Sequence, residues 1–236
     1  MKLRVRFSKY GSVRFIGHLD VMRFFQKAIR RAEIDIAYTG GYSPHQIMTF
    51  AAPLGVGLTS RGEYMDIEVN SITSCEDIKN RLNQASVPGI EIVSVNILPD
   101  NAGNAMASVA SAAYTVCFRE GRAPQCDLAA ELEKFMARET VPYTKATKKG
   151  TRELDLKPGI FSLTWDGNAF SMLLDASSAG NIKPGMVIEA ILSQTGETLQ
   201  ENALLITRED IFTNTGTPET PVFTSLGEIT TGEITA

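Results

Sequence analysis

A chain of 236 residues with 43% hydrophobic side chains can bury a sizeable core and divide into two domains of roughly 100–120 residues. Its three cysteines, Cys75, Cys117 and Cys126, lie far apart without C-x-x-C spacing, which argues against a disulfide framework and against an iron–sulfur or zinc site, so no metal and no cofactor is expected. The N-terminus lacks the apolar run of a signal peptide and no stretch of about 18 apolar residues could span a membrane, so a cytoplasmic protein without a membrane partner is expected.

The net charge of −4 argues against nucleic acid, but its distribution does not. Residues 1–31 hold Lys2, Arg4, Arg6, Lys9, Arg14, Arg23, Lys27, Arg30 and Arg31, with Asp20 as the one acid, so this segment is +8 and the other 205 residues sum to −12. Such asymmetry is the footprint of an anion-binding face on an otherwise acidic molecule. A solvated helix face beside a strand with a charged outer side is the structural alternative.

In chain order, Lys2 to Phe7 alternates strictly, which predicts a half-buried strand with Lys2, Arg4 and Arg6 on its outer face. Three like charges there need either an anion or acids on neighbouring strands, such as Asp66 or Glu68. A helix is predicted from His18 to about Ala32, with a wide apolar stripe (Val21, Met22, Phe24, Phe25, Ala28, Ile29) and Arg23, Lys27, Arg30 and Arg31 projecting away from it. Asp20 in the first turn and the arginines in the last suit the helix dipole, which explains part of the basic pattern structurally. Ile34 to Thr39 reads as a short strand and Gly40 to Pro44 as a loop. Gln46 to Ala52 and Tyr64 to Asn70 read as strands. Ser74 caps a helix to about Ala85 with Asp77 in capping-box position, and Ile90 to Leu98 is a further strand.

This order is the βαββαβ pattern of a ferredoxin-like fold, whose first strand is central and whose helices cover one sheet face. Lys2, Arg4 and Arg6 would then line the middle of an open face. Pro99 to Ser111 reads as a linker. A second unit follows, with strands at Ala113–Phe118 and Val141–Ala146, a hairpin of Ile160–Trp165 and Phe170–Leu174 around Asp166-Gly167-Asn168, helices at Asp127–Ala137 and from Lys183-Pro184-Gly185 to about Leu192, and a last strand at Ala203–Thr207. The expected organisation is α+β, with two tandem ferredoxin-like units over 1–100 and 112–212, a linker over 101–111, and a threonine-rich flexible tail over 213–236. Between elements of the second unit, the stretch Lys145–Lys157 is basic; Lys145, Lys148, Lys149 and Arg152 suit either phosphate contact or an exposed hairpin arm.

The only histidines are His18 and His45. With Asp20 they could form an acid/base pair or a metal site, or His18 could simply open its helix and His45 brace the Pro44 turn. Glu63 and Asp66 read as structural residues or as partners for arginines. No phosphate-binding loop, nucleophile elbow or dinucleotide fingerprint is present.

The motifs RFI-x-HLD-x-x-R (from Arg14), RRA (from Arg30), Y-x-x-G-x-x-PH (from Tyr38), PL-x-x-G (from Pro53), GEY-x-D (from Gly62) and the later RELDLKP (from Arg152) resemble the radical SAM-linked protein family, a domain of unknown function found beside or fused behind cobalamin-binding radical SAM enzymes. Gly17 stands where serine is usual there, and Tyr42-Ser43 where Phe-Asn is. The resemblance implies a radical SAM enzyme as partner. Joined to the charge pattern, it leads to the expectation of a non-catalytic accessory module that binds RNA on a basic sheet face. Two alternatives stand beside it: a metal-independent RNA-processing endonuclease using His18 or His45, and a protein-binding adaptor without RNA affinity.

Overall fold

β1 (Lys2–Lys9) is the strand around which the N-terminal elements assemble in a computed structural model, which describes residues 1–147 and 150–231. It is followed by α1 (His18–Arg31), β2 (Met48–Phe50), β3 (Thr59–Glu68), α2 (Cys75–Gln84) and β4 (Ile90–Ile97). β1 pairs antiparallel with β3, Val5 opposite Met65, and with β4, Val5 opposite Val95. β2 pairs antiparallel with β3, Phe50 opposite Met65, which makes the strand order β4-β1-β3-β2. Leu3, Val5 and Phe7 pack under the apolar stripe of α1 (Val21, Phe25, Ile29) and the narrower one of α2 (Ile78, Leu82). Phe7 and Phe25 meet edge to face at 4.7 Å. Ser74 caps α2 as its sequence position requires, its Oγ accepting from the Asp77 amide at 3.0 Å. The expected strand Ile34–Thr39 is reduced to two isolated bridges, Ile36 with Val69 and Tyr38 with Gln46. The paired glycines Gly40-Gly41 and Pro44 interrupt regular pairing there, with Gly41 at φ +97°.

The second set of elements is β5 (Ser111–Phe118), α3 (Leu128–Met136), β6 (Pro142–Thr147), β7 (Gly150–Asp155), β8 (Ile160–Trp165), β9 (Ala169–Asp175), α4 (Pro184–Leu192) and β10 (Leu204–Asn214). β5–β9 and β8–β9 are antiparallel, and the order is β10-β5-β9-β8. The Asp166-Gly167-Asn168 turn forms as expected: Asp166 accepts from the Asn168 and Ala169 amides, and Gly167 takes φ +95°. Phe135, Val187, Ile188, Phe170 and Leu174 form the core. β6 and β7 make a separate two-stranded arm.

The chain is therefore a mixed α+β protein whose described residues form four α-helices and mostly antiparallel strands. It divides into two units: Met1–Ala110 with the residues from Arg208 onward, and Ser111–Thr207. The span expected as a linker runs up to the unit boundary at Ala110 and buries Ala105 and Val109. One expectation gives way here. Residues 213–231, expected as a tail without structure, return to the first unit. β11 (Phe223–Ser225) pairs antiparallel with β10, Ser225 opposite Phe212; Leu226 is fully buried; and the Thr231 amide reaches Ile97 O at 3.0 Å. Composition misled because threonine is polar yet β-branched, and readily extends where a few anchors such as Leu226 fix the strand.

Candidate nucleic-acid interface

The basic residues of the first strand sort by their neighbours. Arg4 is buried. Its Nε and Nη2 donate to Asp66 Oδ1 and Oδ2 at 2.8 and 2.9 Å, and its Nη1 donates to Leu226 O at 3.2 Å. Arg6 lies 3.5 Å from Asp210 and over the Tyr64 ring. Lys2 lies 3.9 Å from Glu68 and is half exposed. The outer face of β1 is thus covered by the returning C-terminal segment and neutralised by carboxylates. Arg4 is a structural residue, which corrects its expected place on an open RNA-binding face: a guanidinium only 2% exposed, with three of its five N–H donors bound to Asp66 and Leu226, is out of reach of phosphate.

A second buried network adjoins the first. Arg208 donates from Nε to Glu63 Oε1 at 2.8 Å, from Nη2 to Glu63 Oε2 at 2.5 Å, and to Ala52 O at 2.9 Å. Lys9 donates to Arg14 O and Ile16 O. Burial, partly opposed by Glu63 and reinforced by Arg208, holds the Lys9 amine below the usual lysine range. Tyr64 donates to Asp210 Oδ1 at 2.5 Å, and Ser225 donates to Asp210 Oδ2 at 2.9 Å. Burial and the Asp210 carboxylate push the Tyr64 phenol well above the usual tyrosine range. Glu63 and Asp66 are arginine partners, as their sequence context suggested. Lys9 was counted only among the cations of the first segment and Tyr64 was not singled out, because nothing in an alternating strand marks which polar residue will face inward.

The cations of α1 are placed differently. Burying Val21, Phe25, Ala28 and Ile29 turns Arg23, Lys27, Arg30 and Arg31 to solvent. Arg23, Lys27 and Arg30 follow at i, i+4 and i+7, one stripe along the helix, where like charges repel. The pair Arg23–Asp20 at 3.5 Å is exposed on both sides and neutralises little. Among the described residues no carboxylate lies within ion-pair distance of Lys27, Arg30 or Arg31; Arg30 Nε donates to Gln26 O and Arg31 to Ala85 O. Arg14 stacks over Phe15 at 4.7 Å.

Beside the stripe stands the irregular hairpin 36–47, closed by Thr39 N to His45 O at 2.9 Å and Ile47 N to Ala37 O at 2.9 Å. It presents Tyr38, 51% exposed, and Tyr42, fully exposed. Gln26, Arg30, Tyr38, Pro44, His45 and Gln46 line an open cleft of about 200 Å³. His45 Nδ1 lies 3.1 Å from the Thr39 hydroxyl.

His18 is elsewhere. Its ring packs against Phe50 at 5.2 Å, in a narrow depression lined by Phe7, Lys9, Leu54 and Glu63 among others. The two histidines line different cavities, so of the two readings of the sequence it is the separate one that the geometry matches, and Asp20 faces solvent. Among the described residues no three His, Cys, Asp or Glu side chains converge as a metal site, and no helix is long and apolar enough to cross a membrane. In the second unit, Lys145 and Arg152 stand opposite each other on the β6–β7 arm, a like-charge pair of the kind that destabilises a ladder unless an anion or solvent screens it. Lys148 and Lys149 lie outside the described residues.

No curated protein matches the chain. A family profile described as "uncharacterized protein conserved in bacteria (DUF2344)" matches residues 2–184. That description names no radical SAM enzyme, so the association rests on the sequence motifs alone. The match begins at β1 and runs through α1, the 36–47 hairpin and most of the second unit, and on that coverage the chain belongs to the DUF2344 family.

Proposed function

We propose that this chain is a non-catalytic accessory module that binds RNA through the outer face of α1 and the adjoining 36–47 hairpin. The observation that carries the reading is the stripe Arg23, Lys27 and Arg30: three cations on one helix face, with a single exposed carboxylate among them, next to two exposed tyrosines. Cations that repel one another along a helix gain when phosphates lie between them, and aromatic rings accept unstacked bases whatever their identity. The β1 face, first expected to do this, is the less suitable surface because Arg4, Arg6 and Lys2 already have carboxylate neighbours.

The fold suits such a role. We read each set of elements as ferredoxin-like: β4-β1-β3-β2 and β10-β5-β9-β8 are the same arrangement of strands, with a helix after the first and third strands of each and the β6–β7 arm inserted in the second. Motif resemblance adds a radical SAM enzyme as the partner to which RNA would be presented. His18 shares its depression with Glu63 and Lys9, which are already bonded to Arg208 and to backbone carbonyls, and no carboxylate lines the cleft of His45, so an endonuclease has less support.

The test is a binding titration of the full chain against single-stranded RNA and a DNA control over a series of salt concentrations, with the same samples run on a denaturing gel. Affinity should fall linearly with log salt, and replacing Arg23, Lys27 and Arg30 by alanine should flatten the slope by about two, roughly 0.7 for each lost phosphate contact on a single strand. Intact RNA favours the accessory module. Cleavage that disappears in His18→Ala or His45→Ala would instead make the chain an enzyme. No RNA binding at low salt overturns the reading and leaves a protein-docking surface.

A further inference from the structure

A residue that lines the cleft beside α1 carries an unsatisfied group. Gln46 lines it and is only 7% exposed, opposite Tyr38 in an isolated bridge. Its Nε2 donates to Gln26 O at 3.3 Å. That carbonyl can only accept, so the amide cannot be turned round, and the oxygen is left as the free end. Gln46 Oε1 is buried and has no hydrogen-bond partner among the described residues. A buried acceptor without a donor is costly and rare in a folded protein, and it marks a place where an N–H or O–H from outside is wanted.

The neighbours of Gln46 narrow the kind of ligand. Tyr38 offers a half-exposed aromatic ring and Pro44 a flat apolar wall. Arg30 holds Gln26 O through Nε at 3.3 Å, and no bond of its two terminal amino groups occurs among the described residues. About 200 Å³ is less than the 300–1,000 Å³ typical of sites for drug-sized molecules, room for one ring system and its sugar. Arg30 is also the end of the Arg23–Lys27–Arg30 stripe, so an anion bound there can continue along α1 as a chain of phosphates.

We infer that this cleft takes a single unstacked base of an RNA strand. The base lies against Tyr38 and donates an N–H from its edge to Gln46 Oε1, while the adjoining phosphate meets Arg30. Sequence-tolerant stacking combined with edge recognition is how single-stranded RNA is read by proteins, whereas a duplex keeps its bases stacked and out of reach. This inference rests on the RNA-binding reading above and adds where, and by which part of the nucleotide, contact is made.

Fluorescence anisotropy with eight-nucleotide oligomers of A, C, G and U, a duplex and free mononucleotides tests it, using the full chain and the variants Tyr38→Ala and Gln46→Met. Single strands should bind more tightly than the duplex or a mononucleotide. Tyr38→Ala should weaken single-strand binding about tenfold without changing its salt slope, because stacking releases no counterions. Gln46→Met, similar in size but without the acceptor, should cost several-fold for the best-bound oligomer. Should Gln46→Met fail to fold, Tyr38→Ala, a half-exposed position, decides alone. Unchanged affinity in Tyr38→Ala overturns the base site but leaves RNA binding by α1 standing. Absence of any RNA binding removes both. Mononucleotide binding as tight as that of the oligomers also overturns it, in favour of a small-molecule site.

Discussion

Arg4 and Arg208 illustrate how a charged residue becomes structural. Each is buried against one carboxylate, Asp66 or Glu63, through two hydrogen bonds, and each spends a further donor on a backbone carbonyl. Removing one partner strands the other charge in the interior. Asp66→Ala should therefore cost about 3–5 kcal/mol by urea denaturation, whereas Arg4→Met with Asp66→Leu should recover most of the loss, since an apolar pair of similar volume replaces a buried ion pair at little net cost. Tyr64 makes a pH prediction. Its phenol ionises with more difficulty folded than unfolded, so its contribution is complete below the unfolded tyrosine range near 10 and is lost as pH rises beyond it. Of the six tyrosines, Tyr64 should form phenolate only on alkaline unfolding, and Tyr64→Phe should remove that step from an absorbance titration. Phenolate formation from Tyr64 before unfolding would contradict the hydrogen bond to Asp210.

The returning strand β11 and Leu226 decide what the outer face of β1 can do. Ser225 is bonded to Asp210, Asn96 Nδ2 to Gly227 O and Arg4 Nη1 to Leu226 O, so one short segment covers the central strand from outside. Leu226→Ala should lower stability by about 2–5 kcal/mol if that segment is part of the core, and by much less if it is peripheral. Ser74→Ala, which removes the α2 cap alone, should cost about 1 kcal/mol and serves as the local comparison in the same thermal melts.

At the scale of the whole molecule, the first unit is discontinuous: Ser111–Thr207 is inserted between its β4 and its C-terminal elements. A fragment ending at Ala110 lacks Arg208, Asp210 and Leu226, leaving Glu63 and Tyr64 without their partners. It should be largely unfolded by circular dichroism. Replacing 111–207 by a flexible link of about eight residues should restore cooperative unfolding, since the Ala110 amide already bonds to Phe212 O at 2.8 Å and such a link spans the short remaining distance. A well-folded 1–110 fragment would show that the C-terminal residues are an addition to the unit and not a part of it.

Local pattern alone determined much of this protein. The period-two alternation of β1, the apolar stripe of α1, the Ser74 cap, the Asp166-Gly167-Asn168 turn and the outward cations at positions 23, 27, 30 and 31 all depend on neighbours a few residues away, and all were legible in the chain. So was the role of Glu63 and Asp66 as arginine partners, because a carboxylate in a strand beside a basic strand has few other uses. The rest depended on contacts across long separations. Arg4 looks identical to Arg30 as a letter; it is buried because Leu226, more than 200 residues away, folds over it. His18 and His45 fall in different cavities because the 36–47 hairpin lies along α1 while His18 turns under Phe50. Gln46 carries no signal in sequence at all: its importance comes from a carbonyl on α1 that fixes one end of its amide and leaves the other unmet. Local periodicity sets which side of an element is apolar, but only the completed tertiary structure decides which polar groups on the other side are covered and which remain for a ligand.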